Sequence, residues 1–150
     1  MAPAALHGAL VDAEARCSAA DARLTGPRRR VLELLLGAGR PVKAYDLIAA
    51  FGENGAAAKP PTVYRALEFL EEQGFAHRIE SLNAYVACAE GERSHTAAFL
   101  ICDCCGAACE IDMAAIDGVR TAAETARFAL SSLVLEAHGR CSACQDGKAA

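Results

Sequence analysis

Two cysteine pairs constrain this chain more than any other feature: Cys102-Asp103-Cys104-Cys105 and Cys141-Ser142-Ala143-Cys144. Thiolates at C-x-x-C spacing in a turn can both face one ion. Two such turns complete a tetrahedral tetrathiolate with no open position, the arrangement of a structural zinc site. The stretch between the pairs is longer than in a simple zinc ribbon and leaves room for a helix and a strand. Cys104 keeps a second pairing open, because Cys104 with Cys105 offers a different ligand set. Redox-active pairs are the competing reading, but those usually open a helix in a thioredoxin-like pattern that this sequence lacks.

The compartment decides how the eight cysteines are read. Met1 to Leu10 has neither the basic start nor the long apolar core of a secretory signal, so the chain is expected to stay in the cytoplasm, where thiols stay reduced and metal ligation is favoured over disulfides. No run of 18 apolar residues escapes interruption by charge, Pro or Gly, so no membrane span is expected. At 150 residues, 53% hydrophobic and 23% charged, the chain has room for one ordinary domain or two small ones. Its net charge of -4 is unevenly spread. Arg16 to Arg65 holds nine Lys and Arg against four acids, whereas Cys88 onward holds five against nine. A basic first part on an acidic protein suits DNA binding by one domain only.

The first half reads as helices followed by a hairpin. Residues 1 to about 20 are Ala-rich and weakly helical. Thr25-Gly26-Pro27 starts a helix, with Thr25 as cap and Pro27 in the first turn, and Gly37 and Gly39 end it. A second short helix fits Val42 to Phe51, with Ala44, Leu47, Ile48 and Phe51 on one face. Lys59-Pro60-Pro61-Thr62 opens a third, in which Val63, Ala66, Leu67 and Leu70 line one face and Thr62, Tyr64, Arg65 and Glu68 the other. Its first turns carry Tyr64 and Arg65, its later ones Glu68, Glu71 and Glu72. That polarity suits entry of the N-terminal end alone into a major groove. Phe75–Glu80 and Ala84–Cys88 then read as strands around Ser81-Leu82-Asn83, which makes a winged helix-turn-helix.

The second half reads as strands at 97–102 and 107–112, a helix over 114–126 with Ile116, Val119 and Ala123 inward, and a strand at 128–137. The expected fold class is α+β: a winged helix over 1–87, a hinge at 88–96, and a small α/β dimerisation and metal-binding domain over 97–150. The last unit has little core of its own, so pairing with a second copy is expected. His77, Cys88, His95 and Glu110 supply the N, S and O donors that a second zinc accepts. One ion holding all four would tie the wing to the dimerisation domain. Cys17 reads as a buried apolar residue. Cys104, Cys109 and His138 remain neighbours of the first site without an assigned role.

Lys43-Ala44-Tyr45-Asp46-Leu47, Lys59-Pro60-Pro61-Thr62-Val63-Tyr64-Arg65-Ala66-Leu67 and Ile101-Cys102-Asp103-Cys104-Cys105-Gly106 give the chain a resemblance to the ferric uptake regulator family, in order from about Leu24 to Cys144. Ser81 to Cys88 and Glu136 to Cys141 look most like its zinc uptake regulator branch. The resemblance implies a homodimeric, zinc-responsive repressor of zinc uptake genes that binds palindromic double-stranded DNA operators. It makes Cys102, Cys105, Cys141 and Cys144 a structural site and His77, Cys88, His95 and Glu110 a regulatory one, about two Zn2+ per subunit. It also turns Tyr45, Tyr64 and Arg65 toward DNA. Iron and peroxide sensors of the family usually carry a histidine cluster near the linker. Here Ser94 and Thr96 flank a single His95, and the soft ligand Cys88 favours zinc over iron. An iron or peroxide sensor is the nearest alternative. A zinc enzyme with Glu110 as base is the alternative from another class; four protein ligands would close the water position it needs, and no H-E-x-x-H motif is present. No catalytic residue and no small-molecule substrate are expected.

Overall fold

Thr25, Gly26 and Pro27 start the helix that organises the first half of the chain. The computed structural model describes residues 3–52, 59–88, 97–111, 117–130 and 133–147. The chain separates into two compact units, Met1–Arg93 and Ser94–Ala150. Among the described residues no helix is long and apolar enough to cross a membrane.

In the first unit, helix α1 spans Pro3–Ala19, α2 Gly26–Ala38, α3 Ala44–Gly52 and α4 Pro60–Glu72. Thr25 takes the extended N-cap conformation of α2, and Pro stands in the first turn where no intrahelical N–H is required. Its side chain makes no cap hydrogen bond; the Arg29 amide donates instead to the Thr25 carbonyl at 2.8 Å. Gly39 ends α2 in the left-handed region at φ 59, its amide donating to the Leu35 carbonyl. Val31, Leu32 and Leu35 of α2 meet Val63, Ala66, Leu67 and Leu70 of α4 in one core, into which α1 inserts Leu10, Ala13 and Cys17. Each such Leu or Val contributes about 1.5–3 kcal/mol by leaving water. The buried Cys17 is one of these packing residues, as its apolar setting in a helix suggested.

Val42 and Lys43 depart from the expected helix. They form a two-residue strand, β1, paired antiparallel with β3 at Val42↔Tyr85 and Lys43↔Ala84. The helix begins one step later, at Ala44, with Ala44 and Leu47 buried. Strands β2 (Ala76–Ile79) and β3 (Ala84–Ala87) make the hairpin, and the sheet order is β1-β3-β2. Asn83 closes its turn at φ 46, a conformation that Asn tolerates better than most residues. Arg78 reaches from β2 to the Asn83 Oδ1 at 3.3 Å and to Glu80 at 3.2 Å across that turn. Three helices and this hairpin compose a winged helix.

In the second unit, β4 (Ala97–Cys102) lies between β5 (Ala108–Ile111), antiparallel to it, and β6 (Val134–Gly139), parallel to it. Helix α5 (Asp117–Thr125) falls between β5 and β6 in the sequence, and α6 (Ser142–Gln145) follows β6. Two expectations need correction. Phe128 to Leu130 are not strand, and β6 starts at Val134 and runs on to Gly139. Val119, expected inward, is exposed; no described residue of α5 is buried, and Ile116 lies outside the described residues. Leu100, Phe128, Leu130 and Val134 are exposed as well, Phe128 at 66%. Among the described residues of this unit, nothing buries the apolar stripe that periodicity assigns to a core.

Candidate metal centre and nucleic-acid interface

The thiol cluster is assembled where two chain segments end side by side. Parallel pairing of β4 with β6 sets Cys102 against Gly139, so the turn after β4 and the turn after β6 emerge at the same end of the sheet. The Asp103 amide donates to the Gly139 carbonyl at 2.8 Å, and the Cys141 amide donates to Cys102 Sγ at 3.3 Å. The Sγ atoms of Cys102, Cys105, Cys141 and Cys144 all lie within 4.8 Å of one another. Cys105 and Cys141 approach to 3.9 Å. Of the thiols in the Cys102-Asp103-Cys104-Cys105 run, Cys102 and Cys105 are the two that close with the C-terminal pair in this way, while Cys104, exposed like Cys105, also reaches Cys144 with its side chain. Cys109 is also exposed, its thiol 3.4 Å from the carbonyl of Glu110.

The four thiols are not equivalent. Amides of Cys141 and then Cys105 donate to Cys102 Sγ and hold that thiol down at about 6, whereas burial pushes the Cys144 thiol up. Four sulfurs that share one small volume suit a soft or borderline cation, and a tetrahedral ion removes the conflict by replacing protons with a metal. The donor set and its closeness fit zinc. His138, whose role the sequence left unassigned, places Nδ1 2.8 Å from Asp103 Oδ1 beside this cluster.

The second ligand set is described residue by residue. His77 is half-buried on β2, opposite Val86, and Cys88 directly follows β3, its amide donating to the Phe75 carbonyl at 2.9 Å. A ring nitrogen of His77 and the Cys88 sulfur come within 4.8 Å of each other, since antiparallel pairing of β2 with β3 carries both to the same end of the hairpin. Glu110 is half-buried on β5, paired with Phe99 of β4. His95 lies outside the described residues, as does most of the expected 88–96 hinge.

The residues expected to face DNA are all on the surface. Tyr45, second residue of α3, is 79% exposed; Tyr64 and Arg65 project from the first turns of α4. Beneath them Val63, Ala66 and Leu67 are buried, so packing on α2 fixes which side of α4 looks outward. Arg28 is held with its guanidinium 3.6 Å from the Phe69 ring centroid, so this member of the basic run on α2 is anchored against α4.

A winged helix joined in one chain to a four-thiol group that could hold a metal fits the class of metal-dependent transcriptional regulators. The family model of the ferric uptake regulator family matches residues 19–144, and the chain belongs to that family. It is 44% identical over 142 residues to the zinc uptake regulation protein of Escherichia coli (strain K12), a match that covers 93% of this chain and 83% of that protein. Among solved structures, a zinc uptake regulator complexed with zinc and DNA is 44% identical, with a TM-score of 0.89 over 97% of this chain and 98% of that one. The holo form of XcZur is 42% identical, with a TM-score of 0.84 over 91% and 96% of the two chains. Proteins of this family are regulators and not enzymes, which sets aside the zinc-enzyme reading of Glu110.

Proposed function

We propose that the protein is a zinc-responsive transcriptional repressor of zinc uptake genes, acting in the cytoplasm as a homodimer on palindromic DNA operators. The observation that carries this reading is the 44% identity, along nearly the whole chain, to a zinc uptake regulator solved with both zinc and DNA. The winged helix over 1–87 reads the operator, 88–96 is the hinge, and 97–150 dimerises. Arg65 pairs with a base edge from the first turns of α4, with Tyr64 and Tyr45 beside it, while Glu68, Glu71 and Glu72 point away from the phosphates. Leu100, Val119, Phe128, Leu130 and Val134 are the apolar surface that a second copy covers. Twofold symmetry then requires a pseudo-palindromic site with half-sites about one DNA turn, or a multiple, apart.

Two zinc sites divide the work. Cys102, Cys105, Cys141 and Cys144 hold a structural ion, and His77, Cys88, His95 and Glu110 hold the one that is sensed. Zinc supplies a tetrahedral link between ligands that are otherwise independent. The chain's part is to keep His77 and Cys88 at one end of the hairpin, so that only the remaining two ligands have to be brought to them. Zinc switches the protein only to the extent that it binds the DNA-competent arrangement more tightly than the other. Zinc is favoured over iron because Cys88 is a soft donor and a single histidine lies in 88–96.

The test is capture of fragments of the source genome by the full-length protein and by Cys88→Ser across a buffered free-zinc series. The wild type is expected to retain a few palindromic promoter fragments above a zinc threshold, and Cys88→Ser, still a folded dimer, to retain none. Retention gated by iron, or indifferent to both metals, would move the protein away from zinc sensing. An unchanged zinc threshold in Cys88→Ser would remove Cys88 from the ligand set.

A further inference from the structure

The two halves of the thiol cluster come from segments some distance apart in the sequence, and the protein joins them by more than a metal. β6 ends at Gly139, and the second cysteine pair follows it. Past that last rung, two amide-donated bonds cross between the halves: Asp103 to the Gly139 carbonyl, and Cys141 to Cys102 Sγ. A side-chain tie lies beside them. His138 Nδ1 is 2.8 Å from Asp103 Oδ1, and His138 Nε2 is 4.0 Å from Glu136 Oε2. A carboxylate only accepts, so Asp103 fixes Nδ1 as the nitrogen that carries hydrogen. Asp103 sits inside the first cysteine pair, and His138 three residues before the second.

We propose that His138 and Asp103 clamp the two cysteine turns together and preorganise the four-thiol cluster, with His138 a positioning residue that sets how fast the site loses its metal. This rests on the reading of the cluster as a zinc site. His138 and Asp103 are both solvent-accessible, so the tie adds little to global stability. Its effect falls on local opening. The metal leaves a tetrathiolate ligand by ligand, and departure completes only when the turns separate before a thiolate rebinds. A tie across the turns raises the chance of rebinding without touching the ion, in the way outer partners of metal ligands do.

The experiment uses the full-length protein carrying Cys88→Ser, which takes the one thiolate out of the second ligand set so that the thiolate band reports the four-thiol cluster, loaded with Co2+ in place of zinc. Loss of the thiolate-to-cobalt charge-transfer band is followed after excess EDTA is added. His138→Leu is expected to lose the band about tenfold faster. Asp103→Ala, in an exposed turn, is expected to do the same, and the double variant to be no faster than either single one. His138→Asn, whose amide nitrogen stands where Nδ1 stands, is expected to restore a rate close to that of the parent, which a merely space-filling role for the ring would not produce. Loss at the parent's rate in both His138→Leu and Asp103→Ala, with the parent's band intact, would overturn the clamp alone. Absence of a thiolate band in the parent would overturn the four-thiolate reading and the clamp with it.

Discussion

Glu71 occupies the last turn of α4, where burial raises its carboxyl above the ordinary 4.5 and the Arg78 charge opposes that rise only in part. Its carboxylate also accepts the Arg78 amide, which ties the end of α4 to the wing strand β2. A carboxyl whose folded value lies above its unfolded one favours folding while protonated. That contribution is complete below the unfolded value and is lost as pH rises through the folded one. Glu71→Gln keeps an oxygen acceptor for the Arg78 amide and removes the charge. The variant is therefore expected to melt higher than wild type at pH 7.5, with the gap narrowing as pH falls toward 5. Thermal melts of the zinc-loaded protein at the two pH values check this, and a gap that widens toward pH 5 would contradict it. Arg16 shows another way of meeting a similar demand: it lies 4.3 Å from the Phe75 ring centroid and donates to the Gln73 carbonyl, joining α1 to the turn after α4.

Helix α4 is the element in which sequence and fold agree most closely. Lys59-Pro60-Pro61 suits a helix start, where Pro in the first turn costs no hydrogen bond, and four apolar residues at helical spacing give one buried face. The same face puts Arg65 outward, and Arg65→Ala is expected to cost about 1–3 kcal/mol of binding to the operator and little on unrelated DNA. Titration of both DNAs at one salt concentration checks this; equal loss on both would make Arg65 a phosphate contact. Other elements were less legible, each for a physical reason. β1 has two residues and no alternation to detect, and it exists only because Tyr85 and Ala84 of a distant strand pair with Val42 and Lys43. The late start of β6 was hidden because Phe128 and Leu130 have the composition of a strand without its hydrogen bonds. Spacing gave the cysteine pairs, but three cysteines in four residues offer more than one pair, and it takes the register of β4 on β6 to bring Cys102 and Cys105 within reach of the C-terminal pair. The contact of His138 with Asp103 depends on that same register and leaves no local signal at all.

At the scale of the whole molecule, the two units rest on different kinds of support. The first has a core of its own, with Val31, Leu35, Val63 and Leu70 wholly buried and α1 packed on them. Among its described residues the second buries Ala98, Phe99, Ile101, Cys102 and Cys144, a small set that is partly the thiol cluster itself, and leaves apolar side chains exposed on α5 and the segment after it. So small a core rarely stands alone. On the function proposed above, a metal tying the end of the sheet and a partner covering the face would complete it. Because the metal's binding energy belongs to the folded unit, losing one ligand removes much of it. Cys102→Ser also moves the acceptor of the Cys141 amide, because the hydroxyl oxygen sits on a shorter bond than Sγ, and so stretches a second link between the same two turns. The variant is therefore expected to lose about one zinc ion per subunit and to dissociate, while α1 to α4 keep their helical signal. Zinc analysis, light scattering and far-ultraviolet circular dichroism on one preparation separate these effects. A dimeric Cys102→Ser protein with full zinc would mean that the second unit is completed by its partner alone, and that the cluster is not its structural support.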